Sequence, residues 1–166
     1  MRQISASELR EIAIDIENEL IRLRQLESQM ILVQSQMAKN PELAAIFSES
    51  LALKLHNFYT GCERIFQIIA SELNGGLPSG YDWHRRLLTR MTTSQDYRPA
   101  ILTAQTAQQL AEYLSFRHVV RNIYGFELET QRVENLVNNY YETWQHFEQD
   151  MQNFLTWLRT MADNLK

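Results

Sequence analysis

Between Phe116 and Tyr124 the chain reads FRHVVRNIY, which places Arg117, His118, Arg121, Asn122 and Tyr124 within eight positions. Arginine presents a planar fork of donors that matches phosphate, histidine moves protons near neutral pH, and asparagine and tyrosine add directional hydrogen bonds. A solvated helix face draws mostly on Glu and Lys, so this set points instead to an anionic ester such as a phosphodiester. At 100° per residue Arg117, Arg121 and Tyr124 share an arc of about 60°, flanked by His118 and Asn122. Phe116, Val119, Val120, Ile123 and Phe126 fall on the other side. Leu110 and Leu114 lie upstream on the arginine side, so an apolar surface gives way there to a polar one, as at a cleft edge or a subunit interface. The plainer alternative is a solvated face whose arginines pair with Glu127 or Glu129.

A second basic run, Trp83-His84-Arg85-Arg86, pairs an aromatic ring with positive charge, a combination used to bind single-stranded nucleic acid. Its competing reading is a tryptophan packed in the core beside solvated arginines. His56 and His146 stand alone on long helical segments and are expected to be partly exposed. No HExxH, paired-Asp or Cys/His spacing marks a metal site, and the glycines at 75, 76 and 80 precede no GK[ST], so neither a metal nor a cofactor is expected.

These side chains must be held by helices, because apolar positions recur at three- and four-residue steps along nearly the whole chain and no strand period appears. Ser5 and Glu8 form a capping box ahead of a long first helix marked by Leu9, Ile12, Ile16, Leu20, Leu23, Met30 and Met37. Asn40-Pro41 opens a second helix, which Gly75-Gly76 stops. YDWHRRLLTRM forms a short third helix. The fourth starts near Thr103, carries the polar cluster and ends at Gly125. LETQRVENLVNNYYETWQHFEQDMQNFLTWLRTMADNL supplies a long fifth. The expectation is an all-α antiparallel bundle of about five helices spanning residues 1–166 as one domain.

Composition bounds the function. The chain has 166 residues, 45% of them hydrophobic and 22% charged, enough for one sizeable core and unlike a disordered segment. A net charge of −4 argues against non-specific coating of nucleic acid, while leaving room for a local basic site. Cys62 is the only cysteine, which excludes an internal disulfide and a thiolate zinc cluster and fits a reducing compartment. Neither an apolar signal segment nor a membrane span is apparent, so a cytoplasmic location is expected.

FRHVVRNIY, together with YTGCERIFQIIASEL and LPSGYDWHRRLLTRM upstream, resembles the HEPN superfamily, and within it the HepT-like ribonuclease toxins encoded beside MNT-type nucleotidyltransferase antitoxins. The resemblance runs from about Leu51 to the end of the fifth helix. The family's signature is an Arg, four residues, a His, one residue and a Tyr. Arg117 matches the Arg and Tyr124 the Tyr, but Asn122 stands where the His belongs. The resemblance implies a homodimer with a composite active site and an RNA substrate cut without a metal, the ribose 2′-hydroxyl attacking the adjacent phosphate. Arg117 would clamp the phosphate, Arg121 would be a second clamp, and His118, one turn before Asn122, would carry protons. Tyr124 would be the acceptor of AMP from the partner nucleotidyltransferase, which silences the toxin. Because an amide cannot serve as general acid or base near neutral pH, Asn122 leaves open a second class, a non-catalytic HEPN domain that binds RNA, a nucleotide or a protein partner.

Overall fold

In a computed structural model of the chain, described over residues 3–122, 124 and 127–165, five α-helices form an antiparallel bundle. They are α1 (Ala6–Lys39), α2 (Ala44–Leu73), α3 (Trp83–Met91), α4 (Ala104–Asn122) and α5 (Thr130–Asn164). The expected start of α1 is present, with the Glu8 amide donating to Ser5 Oγ at 3.2 Å and the Ser5 amide donating to Glu8 Oε2 at 2.7 Å. All the apolar positions that define its period are buried except Met37, which is partly so. The second helix begins later than expected, because Pro41–Leu43 winds into a 3₁₀ turn closed by the Leu43 amide on the Asn40 carbonyl. At its other end the Asn74 and Gly76 amides both close on the Ala70 carbonyl. That geometry takes Gly75 to a φ of 75°, where a side chain would be strained.

The core is one continuous cluster drawn from every helix. Phe58 of α2 sits at its centre and meets Tyr113 of α4, Tyr140 and Trp144 of α5 edge-on, at centroid distances of 5.2, 5.0 and 6.4 Å. Edge-to-face pairs of this kind add about 0.5–1.5 kcal/mol each beyond their buried area, so they fix α4 against α2 and α5. Tyr113 is one turn before Arg117 and also donates its hydroxyl to the Leu136 carbonyl at 2.8 Å. The turn that carries Arg117 is therefore anchored from within the core.

The connection between α3 and α4 is held by Arg98. Its side chain donates to Asn74 Oδ1 at 2.9 Å and to the carbonyls of Arg90, Thr93 and Pro99 at 3.0–3.1 Å. Burial lowers the pKa of this guanidinium from its ordinary value. Beyond it Thr103 caps α4, its hydroxyl accepting from the Thr106 amide, and the buried Asp150 of α5 accepts from the Thr103 amide at 3.0 Å. The expected start of α4 near Thr103 is thus fixed by two independent contacts. Gly125, expected to end α4, and Ile123 and Phe126, expected on its apolar side, lie outside the described residues. Among those described, no helix is long and apolar enough to cross a membrane.

Candidate functional site

Three helices bring a carboxylate, an imidazole and a guanidinium into contact. Glu63 from α2 lies 2.7 Å from His84 Nδ1 through Oε2 and 3.4 Å from Arg117 NH1 through Oε1. The register follows from the packing: α2, α3 and α4 all touch one another, and the aromatic centre sets α4 so that Arg117 turns inward. Side-chain exposures are 4% for Glu63, 15% for His84 and 12% for Arg117. Hence the carboxylate is sealed, while the other two keep an edge open to a reactant.

Arg117 NH1 also approaches His84 Nδ1 to 3.0 Å and Nε2 to 3.5 Å. One ring nitrogen cannot donate to Glu63 and accept from Arg117 at once. We assign the tautomer from the shorter, charge-assisted contact with the carboxylate: Nδ1–H donates to Glu63, Arg117 donates to the other carboxylate oxygen, and Nε2, with Arg117 NH1 3.5 Å away, carries the lone pair. Trp83 stacks on the imidazole, with centroids 3.7 Å apart, and limits its rotation.

Further polar groups gather on the same seam. Arg117 Nε, Tyr59 Oη and His56 Nδ1 are buried atoms that find no hydrogen-bond partner among the described residues. Burial, followed by the charge of Glu63, holds the Tyr59 phenol well above its usual range. Burial, then Arg117 and Arg121, lowers the pKa of His56 from 6.5. His56 is partly exposed, as expected, and feels the charge of the two arginines of α4.

The residues of the opening motif are distributed unequally. Arg117 is inside, paired with Glu63 rather than with Glu127 or Glu129. Arg121 is exposed. His118 is exposed on α4, its ring centroid 6.2 Å from that of His84. Asn122 donates its amide to the His118 carbonyl at 2.7 Å, a back-bond along its own helix. Tyr124 is 71% exposed. Of the second run, Trp83 is half-buried against the core and His84 joins the site. Arg85 and Arg86 are exposed, and Arg86 donates to the Ser79 carbonyl. Glu63 went unnoticed in the sequence because an acid within YTGCERIF looks like any solvated helical position. The available signal was its place among buried neighbours, with Tyr59, Cys62 and Phe66 sharing its side of α2.

A helical bundle whose fourth helix carries an inward arginine, with an exposed tyrosine seven positions later just past the end of that helix, has the layout of a HEPN domain. A family model described as HepT-like protein matches residues 50–158, well over half of the chain, and the chain belongs to that family. No curated protein and no solved structure matches it.

Proposed function

We propose that the protein is the toxin member of a toxin–antitoxin pair and cuts RNA without a metal, through attack of a ribose 2′-hydroxyl on the adjacent phosphate. The observation that carries this is Arg117. The signature arginine is held by Glu63 beside an imidazole, and its side chain keeps a 12% exposed edge at which a phosphate oxygen would be met. A guanidinium aimed at the charge that builds on the phosphoryl oxygens contributes more in a partly desolvated site than in water. Arg121, one turn on and exposed, supplies a second positive charge along the strand.

A two-fold dimer across α4 fits the same reading. Ala104, Gln108, Ala111, Ser115 and His118 recur at three- and four-residue steps and are all exposed, so this side of α4 is lined by mostly small side chains that let a second helix approach. Tyr124, exposed at the end of α4, is accessible to a nucleotidyltransferase. AMP placed on its hydroxyl would bring a phosphodiester to the basic end of the helix and exclude substrate.

A second reading is kept by one observation. Asn122 replaces the signature histidine and its amide is turned back on the helix, which favours a domain that binds RNA or a partner without cutting. Incubation with labelled tRNA and mRNA separates the two. Cleavage that Arg117→Lys abolishes supports the nuclease; binding of intact RNA, equally retained by that variant, overturns it. The lysine is preferable to alanine because it keeps a cation beside the buried carboxylate.

A further inference from the structure

If Asn122 cannot carry a proton, another group must, and the motif helix offers only the exposed His118. The interior offers more. His84 comes from a different helix, reaches Arg117, and is held on its far side by a carboxylate that is 4% exposed. A histidine whose Nδ1–H is fixed by a buried acid presents Nε2 in one tautomer and one orientation, the arrangement that prepares an imidazole to accept a proton. Glu63 is buried with its charge compensated by Arg117 at one oxygen and with His84 Nδ1–H on the other. Trp83 stacks on one face of the ring.

We propose that His84 is the proton acceptor of the reaction, positioned by Glu63, and that this dyad from α2 and α3 takes over the role of the histidine replaced by Asn122. The assignment rests on the RNA-cleavage reading. In the step, the 2′-hydroxyl proton passes to His84 Nε2 as the 2′-oxygen bonds to phosphorus. The bond from phosphorus to the 5′-oxygen breaks, and that oxygen takes a proton from water. Arg117 holds a non-bridging oxygen throughout. The products are a 2′,3′-cyclic phosphate and a 5′-hydroxyl, and His84 returns its proton to solvent. Glu63 does not meet substrate; it is a positioning residue. The groups facing His84 are Glu63 from α2, Arg117 and His118 from α4, and Trp83 beside it.

The test uses the full chain and labelled RNA. His84→Ala is expected to lower the cleavage rate by about 10²- to 10⁴-fold, the usual range for losing a general base. Added imidazole should restore part of that loss. Glu63→Gln should lower kcat more than it raises KM and displace the acidic limb of the pH profile, whereas Glu63→Asp should recover much of the rate. A merely structural role for Glu63 would leave that limb in place. His146→Ala, on α5, serves as the control. Since a variant at a buried pair can lose its fold, the tautomer is also read directly in the wild type from ¹⁵N–¹H correlations of the imidazoles. A proton on Nδ1 of His84 is expected, and a proton on Nε2 alone overturns the dyad. Cleavage that needs Arg117 but proceeds unchanged in His84→Ala overturns this assignment and leaves the nuclease standing. Wild-type protein that leaves every RNA intact removes both.

Discussion

Arg117 makes the contacts on which the site depends, and they are made inside the bundle. Its partner is 54 positions away in sequence, so the pair exists only in the folded chain and reports on the packing of α2 against α4. His56 reports on the same seam through protons. Its pKa is lowered by burial first and by Arg117 and Arg121 next, so the folded chain holds fewer protons at this site than the unfolded chain just below pH 6.5. Stability from this group is therefore complete above 6.5 and is lost as the pH falls toward the lowered folded value. Urea midpoints at pH 7.5 and 5.5 should differ by less in His56→Gln than in the wild type, and an equal or larger difference would exclude His56 as a source of acid sensitivity. The motif itself was legible residue by residue, since Arg, His, Asn and Tyr at helical spacing stand out from a Glu and Lys face. Which of them turn inward was not, because the wheel placed Arg117 and Arg121 on one arc. One turn of α4 later, the α2 and α3 surfaces that bury Arg117 no longer cover Arg121.

At the scale of elements, local rules carried the helix ends. The capping box at Ser5 and Glu8, the glycines after Leu73 and the threonine before Ala104 act within a few residues, so sequence displays them directly. Pro41 was harder, since it starts an α-helix and a 3₁₀ turn equally well. In sequence the connection from α3 to α4 is a plain turn-rich link, although Arg98 within it satisfies three carbonyls and the Asn74 side chain from a position that is 3% exposed. Arg98→Ala removes these charge-assisted bonds and leaves the Asn74 and Arg90 acceptors half-buried without a partner, while those of the exposed Thr93 and Pro99 turn to water. A loss of about 2–4 kcal/mol is expected in chemical denaturation, with the same slope. A loss near zero would mean that the loop is held by the Met91 carbonyl, which accepts from Ile101 and Leu102, rather than by the arginine.

For the whole molecule, the bundle class followed from periodicity alone, whereas the meeting of Glu63, His84 and Arg117 required the mutual packing of three helices. Two copies meeting along the small exposed side of α4 would bring two such clusters near one axis. Light scattering after gel filtration should give twice the mass of the 166-residue chain at micromolar concentration, and Ala111→Arg with Ser115→Glu should convert it to a monomer. A wild-type monomer would remove the shared site. The central claim, that Arg117 anchors metal-free cleavage by the 2′-hydroxyl, is tested most directly by the chemistry of the product ends. RNA treated with the wild-type protein in EDTA should carry 2′,3′-cyclic phosphates and 5′-hydroxyls, and the same treatment with Arg117→Lys should leave it intact. Fragments ending in 3′-hydroxyls, or cyclic ends formed equally by Arg117→Lys, would contradict it.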